Sequence, residues 1–184
     1  MQQMDNPGGE NQYGDHETQE ALTFDRVQGM PYLQMVVKEG LRMHPATGLP
    51  MWRDVPEGST LGLNAWIAHR NTSIFGQDAA RFQPERWDPE VTPKSELARM
   101  EGYYIPFGAG TRTCIGKNIS IMEICKLIPM LVQRYDFEIV PSPPSKPGKG
   151  GSQLVTNNLW FVKPMNVSVR VRRARKTFGD AKPS

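Results

Sequence analysis

A lone cysteine at the end of a glycine-rich turn is the feature of this sequence best suited to chemistry. The segment runs Phe107-Gly108-Ala109-Gly110-Thr111-Arg112-Thr113-Cys114-Ile115-Gly116. Apolar residues at helical spacing follow it, from about Ile115 to Tyr135. Cys114 therefore stands just before a helix start, where unpaired amides and the positive dipole end favour an anion. The thiolate is the form of cysteine that binds metals and attacks electrophiles. Gly108 and Gly110 let the loop backbone approach a flat ligand closely. Arg112, two residues before the cysteine, is a planar fork donor for an anionic group on that ligand. Gly116 keeps space clear above the first helical turn.

Three fates are open to such a thiol. A single thiolate bonded to an iron porphyrin fits all of these features. A cysteine nucleophile needs a histidine partner, and no histidine lies in a recognisable partner motif. An ordinary buried thiol is the commonest outcome for a cysteine. No CxxC pair accompanies Cys114, which argues against a zinc ligand set and against disulfide exchange. The second cysteine, Cys125, lies within the helical run, and two cysteines make no disulfide framework.

The rest of the chain must position this segment. Its 184 residues suit one domain or a little more. Hydrophobic residues at 38% and charged residues at 22% describe a globular chain. Seventeen glycines and sixteen prolines announce many loops. Lys+Arg 22 against Asp+Glu 19 leaves a net charge of only +3, too balanced for a nucleic-acid binder. No run reaches the roughly 18 apolar residues of a membrane span. The polar, acidic first residues do not resemble a signal peptide.

Residues 1–20 are expected to form a polar, disordered leader. Thr23 is suited to cap a short helix containing Arg26 and Val27. Pro31 opens a stronger helix, with Leu33, Val36, Val37, Gly40 and Leu41 on one face, and Pro45 ends it. Residues 46–58 read as a turn-rich crossing and Thr60–Ala68 as a strand. Residues 71–83 read as a short helix and loop, and 84–113 as irregular. The helix from Ile115 to Tyr135 carries a broad apolar surface, which predicts a central position, with a kink at Pro129. Phe137–Val140 reads as a strand and 141–152 as a flexible loop. Leu159–Val162 and Val167–Val171 are expected to pair as a hairpin. Arg170, Arg172, Arg173, Arg175 and Lys176 form a basic end, with 173–184 as a tail; a solvated strand end is the expected reading.

The cysteine segment resembles the haem-binding signature of the cytochrome P450 family, Phe-x-x-Gly-x-Arg-x-Cys-x-Gly, at every fixed position. Two further motifs of that family stand upstream in order. Glu39-Gly40-Leu41-Arg42 resembles its Glu-x-x-Arg helix motif, and Pro84-Glu85-Arg86-Trp87 its Pro-x-Arg segment. Alone, Glu-x-x-Arg is no more than a solvated ion pair worth a few tenths of a kcal/mol. The ordered set is specific. Pro-Tyr-Leu-Gln, Arg-Met-His-Pro-Ala-Thr-Gly-Leu-Pro and Gly-Lys-Asn-Ile-Ser are most similar to fungal members of the pisatin demethylase and benzoate hydroxylase type.

The resemblance implies a mainly α fold with small β-sheets, the proximal, haem-ligand half of a cytochrome P450. It implies haem as cofactor, with Cys114 as its axial iron ligand and Arg112 at a propionate. Phe107 would shield the sulfur, beside Gly108, Gly110 and Gly116. Glu39, Arg42 and Arg86 would lock a distant loop to the helix. Arg53 is placed for a propionate, or is a surface arginine; His69 contacts a propionate or satisfies a buried turn, the second being favoured. Ala46–Leu49 would border the pocket of a small apolar or aromatic substrate. Lys117, Lys126 and Arg134 would face an NADPH-dependent reductase. In the family, the thiolate pushes electron density onto iron and favours O–O cleavage, which leads to hydroxylation of the substrate.

The resemblance spans about Thr23–Arg172, with 21–172 expected to be the C-terminal part of the family's domain. No counterpart is seen for the membrane anchor, the helices roofing the distal pocket or the oxygen-activating acid–Thr helix. Complete relatives are expected at the endoplasmic reticulum, and this chain, without an anchor, in the cytoplasm. The isolated chain is expected to be inactive, and a non-catalytic remnant or weak haem-binding module is the alternative to a monooxygenase. Between Arg53 and Asn64 the chain is shorter than the family pattern, and Val55–Ser59 is expected to join the flanks without the family's extra hairpin.

Overall fold

A computed structural model describes residues 23–47, 49–56, 58–141, 153–157, 161–165 and 167–174. The expected leader, most of the 141–152 loop and the tail beyond residue 174 lie outside these residues. Six α-helices and three two-stranded antiparallel sheets are described: α1 (Phe24–Gln28), α2 (Pro31–Met43), β1 (Pro50–Val55), β2 (Ser59–Asn64), α3 (Ala65–Ala68), α4 (Thr72–Phe75), α5 (Lys94–Tyr103), α6 (Lys117–Arg134), β3 (Tyr135–Pro141), β4 (Gln153–Asn157), β5 (Phe161–Met165) and β6 (Val167–Arg173). Single 3-10 turns occur at Pro84–Trp87 and Gly110–Arg112. The mainly helical expectation with small sheets holds.

Local chemistry sets the first two helices. Thr23 Oγ1 accepts from the Arg26 amide at 3.4 Å and caps α1. Pro31 occupies the first turn of α2, where its missing N–H costs nothing. Two apolar clusters form around α2. On one side Val27, Val37 and Cys125 pack with Phe24, Leu33, Leu41, Ile121, Ile124 and Ile128, joining α1, α2 and α6. On the other, Phe75, Ala79, Trp87 and Met100 pack with Met35, Ile74, Leu97 and Tyr104, joining α4, α5 and the Pro84–Trp87 turn.

Several sequence expectations are corrected. The 46–58 crossing and the Thr60–Ala68 strand resolve into a hairpin, with Pro50 opposite Asn64 and Val55 opposite Ser59. Gly58 at φ +77° supplies the left-handed residue of its turn. The segment Val55–Ser59 thus closes a hairpin between its own flanks. The strand ends at Asn64 because the Asn64 Oδ1 accepts from the Ile67 amide at 3.3 Å and starts α3. Residues 84–113 are not irregular throughout: α5 follows Pro93, a residue that cannot extend a helix backwards but suits its start. Of the expected Leu159–Val162 strand, Leu159 and Trp160 lie outside the described residues, and Phe161 and Val162 pair with β4 rather than with Val167–Val171. β6 pairs with β3, Tyr135 opposite Arg173, while β4 pairs with β5.

The long helix begins at Lys117 rather than Ile115 and runs through Pro129. Its central position is also corrected. Ile121, Ile124, Cys125 and Ile128 meet α1 and α2, but Ile119, Leu127 and Val132 on its other sides are exposed. One stripe of α6 is buried, and a second apolar surface faces outward.

The cluster around Phe75 should dominate stability on its side of α2. Phe75→Ala is expected to cost about 3–5 kcal/mol in urea unfolding, and Val91→Ala at an exposed position less than about 0.5 kcal/mol.

Candidate functional site

The site is built on a buried charge cluster at the end of α2. Glu39 and Arg42, three residues apart, share one helix face and are both fully buried. Glu39 Oε2 accepts from Arg42 Nε at 2.8 Å and from the Trp87 indole Nε1 at 2.9 Å. Its Oε1 accepts from Arg42 Nη2 at 2.8 Å, the Gln83 amide at 2.9 Å and Arg86 Nε at 3.0 Å. These five bonds use the whole accepting capacity of a carboxylate. Burial alone would raise the Glu39 pKa. The bonds from Arg42 and Gln83 and the charges of Arg42 and Arg86 outweigh burial and hold it below the ordinary value.

The two guanidiniums spend most of their remaining donors on backbone carbonyls. Arg42 donates from Nη1 to the carbonyls of His69 at 2.5 Å and Ala79 at 2.7 Å, and from Nη2 to that of Arg81 at 3.0 Å. Arg86 donates to the Phe75 carbonyl at 2.7 Å and pairs with Asp78 at 3.2 Å. Asp78 brings the cluster to two positive and two negative charges. Among the described residues no buried side-chain polar atom lacks a partner.

His69 extends the cluster toward the cysteine. It is fully buried, stacked on Tyr104 with ring centroids 5.6 Å apart. Its Nε2 accepts from the Ile105 amide at 2.9 Å, so its proton sits on Nδ1 and is donated to the Arg42 carbonyl at 3.0 Å. Burial lowers the His69 pKa to about 4; the Arg42 carbonyl opposes this, and the Arg42 and Arg70 charges reinforce it. The ring is neutral near pH 7.

Ile105 opens the loop that carries the thiol. The Gly108 amide donates to the Ile105 carbonyl at 3.0 Å, and the Cys114 amide to the Phe107 carbonyl at 2.8 Å. Gly108 and Gly110 both take positive φ, +77° and +68°. A Cβ on Gly108 would stand 3.3 Å from Met51 Sδ, so this turn packs against β1. A Cβ on Gly116 would stand 3.8 Å from Cys114 Sγ. Cys114 is exposed and unpaired, whereas Cys125 is buried. Phe107 is partly buried beside the loop.

The other predicted residues fall as follows. Arg112 is exposed and its guanidinium bonds no other described residue. Arg53 is exposed and bonds its neighbour's carbonyl, Trp52, at 2.8 Å. Met51 and Arg53 lie two apart on β1 and so share a strand face, the one whose Met51 reaches the Gly108 turn. Ala46 is exposed, Thr47 and Leu49 half-buried, and Gly48 lies outside the described residues. Lys117, Lys126 and Arg134 are exposed but form no common patch. Lys117 and Lys126 are nine residues apart, half a turn out of phase, and Arg134 is about 25 Å along the helix axis from Lys117. Arg170 pairs with Glu138 at 2.8 Å on the exposed β3–β6 ribbon, with Arg172 nearby; Arg175 and Lys176 lie outside the described residues.

A sequence profile described as cytochrome P450 matches residues 11–161. The chain belongs to the cytochrome P450 family. It is 40% identical to a pisatin demethylase of Fusarium vanettenii over 81% of this chain and 29% of that protein. It is 33% identical to the cytochrome P450 monooxygenase pkfB of Emericella nidulans, over 85% of this chain and 31% of that protein. The chain thus spans about three tenths of the length of these P450 relatives. In fold it is similar to retinoic acid bound cyanobacterial CYP120A1, with a TM-score of 0.66 and 24% identity, over 83% of this chain and 35% of that one. This likeness makes the arrangement part of a P450 fold.

Haem is the general cofactor of P450 proteins, and the residues present fit it. An accessible thiol, glycines that clear the space beside it, two exposed guanidiniums and the exposed apolar side chains Ile115 and Ile119 are what a flat, apolar, dianionic ring requires. No three His, Cys, Asp or Glu side chains converge as a metal site among the described residues, so a protein-only ion site is not offered there. Sequence reasoning missed Trp87, Asp78 and the bridging role of His69. Trp87 carried one signal, since a buried indole N–H requires an acceptor.

The buried histidine sets a pH dependence. The unfolded chain binds a proton near pH 6.5 at this position, the folded chain only near 4. Stability is therefore complete above pH 6.5 and falls as pH drops toward 4, by about 3 kcal/mol in order of magnitude. His44, lowered by burial and by Arg70, adds in the same direction. Denaturant unfolding between pH 7 and 4 checks this, and a flat profile contradicts it.

Proposed function

We propose that this chain forms the haem-ligand part of a fungal-type monooxygenase, an oxidoreductase that hydroxylates a small apolar or aromatic substrate. The observation that carries the reading is the exposed Cys114 thiol on a glycine-turned loop, fastened by hydrogen bonds to a buried charge cluster. When bound, the haem supplies oxygen activation, with electrons delivered from NADPH through a reductase.

The chain's own residues hold and tune that group. Cys114 would hold the haem iron as thiolate. Arg112 and Arg53 offer fork donors to the propionates. Phe107, partly buried beside the loop, would shield the sulfur from water once the ring is bound. Gly108, Gly110 and Gly116 leave the ring room to approach the backbone. Glu39, Arg42 and Arg86 keep the loop in register, as a structural lock. Lys117, nearest the thiol in sequence among the cations of α6, is the one suited to meet an acidic reductase on this side. The 40% identity to a pisatin demethylase supports a small organic substrate. Complete relatives are expected at the endoplasmic reticulum membrane; no helix among the described residues is long and apolar enough to cross one.

The test is a reduced, carbon-monoxide difference spectrum of the purified chain with added haem. The expected result is a strongly red-shifted Soret band that disappears in Cys114→Ser. Persistence of the band in Cys114→Ser, or its absence from the unsubstituted chain, overturns the assignment.

A further inference from the structure

We propose that His69 is a positioning residue for Cys114, coupling the buried Glu39–Arg42 cluster to the cysteine loop through the Ile105 amide. The inference rests on the haem-thiolate reading for its purpose, but its geometry stands apart from it. Within residues 105–114 the hydrogen bonds are otherwise local: Gly108 to Ile105, Thr113 to Gly110, Cys114 to Phe107. Among the described residues, the bond from the Ile105 amide to His69 Nε2 is the one that ties this loop to a distant part of the chain. It joins positions 36 residues apart.

The other end of the imidazole is equally fixed. His69 and Arg42 are clasped in both directions, with Arg42 Nη1 donating to the His69 carbonyl and His69 Nδ1 donating to the Arg42 carbonyl. Arg42 is in turn held by both oxygens of Glu39. Rotation of the ring is blocked by Tyr104 stacked on one side and Phe75 edge-on, with centroids 5.6 and 6.0 Å away. The positive groups Arg42 and Arg70 lie nearby and disfavour a second ring proton. A ring with its proton on Nε2 would set two donors face to face at Ile105, so one tautomer is required. The path to the thiol then runs through the Ile105 carbonyl to Gly108 and through Phe107 to the Cys114 amide. A displacement at Ile105 moves the turn on which the sulfur is carried.

The test uses the full chain with nitrogen-15 labelling, alone and with haem. In the unsubstituted chain the His69 ring should carry its proton on Nδ1; a proton on Nε2 overturns the proposal, whether or not any variant folds. In His69→Phe, which keeps an aromatic ring and removes both nitrogens, the Ile105 and Cys114 amides should exchange roughly fivefold faster or more, with the Val37 amide in α2 unchanged. His69→Gln, whose amide oxygen can reach the position of Nε2, should restore slow exchange. With haem, His69→Phe should lower the fraction showing the red-shifted carbon-monoxide band, and His69→Gln should recover it. Unchanged loop amides in His69→Phe, or equal acceleration of all amides, overturns the proposal and leaves His69 a core residue. If the unsubstituted chain lacks the band altogether, the haem-thiolate reading fails, and the tautomer and exchange results still decide the relay.

Discussion

The Glu39 carboxylate, sealed from water between two guanidiniums, is the constraint on which the rest of this structure depends. A buried carboxylate is costly unless every lone pair is met. Here Arg42, Arg86, Gln83 and Trp87 meet them all. Arg42 lies on Glu39's own helix, while Gln83, Arg86 and Trp87 all come from one turn more than forty residues later, so satisfying one charge fastens that turn to α2 at three points. The guanidiniums then bind carbonyls at positions 69, 75, 79 and 81, which have few regular partners of their own. A segment with only short helices is held in one conformation by side-chain donors in place of secondary structure.

The division between this cluster and the outer face of α6 has a functional sense. The cluster side is closed, polar atoms paired, aromatic rings of His69, Phe75, Trp87 and Tyr104 in contact. The thiol side is open, with Ile115 and Ile119 exposed next to Cys114. Rigidity lies behind Cys114 and accessibility in front of it. A metal ligand needs both, since its geometry must be set before the metal arrives and the metal must be able to reach it.

The cysteine segment was legible in the sequence because its parts are contiguous: glycines, arginine, cysteine and helix start occupy ten successive positions. Glu39, Arg42 and Arg86 were legible as ordered motifs, though not as a five-bond carboxylate. His69 was legible as satisfying a buried turn, but its partners were not, because they lie 27 and 36 residues away and depend on which ring nitrogen holds the proton. The first hairpin was half legible: its second strand was read within Thr60–Ala68, while its first, Pro50–Val55, was hidden in the turn-rich 46–58 crossing. Gly62 fell inside the strand read at Thr60–Ala68, and a Cβ there would lie 2.8 Å from the Trp52 ring opposite, so the glycine is what lets the strands pair. The apolar run of α6 spoke for a buried helix, but periodicity shows which faces are apolar and not what covers them. Helix α5 was hidden between Pro93 and the proline and glycines of the loop, where punctuation outweighed a weak apolar pattern.

The measurement that tests the central claim most directly is denaturant unfolding of Glu39→Gln, which keeps the side-chain shape and removes the charge. Two buried guanidiniums then face one remaining carboxylate, Asp78. The expected result is a loss of about 3–5 kcal/mol relative to the unsubstituted chain. A loss below about 0.5 kcal/mol, the size of an ordinary surface substitution, would contradict the view that this one carboxylate organises the fold.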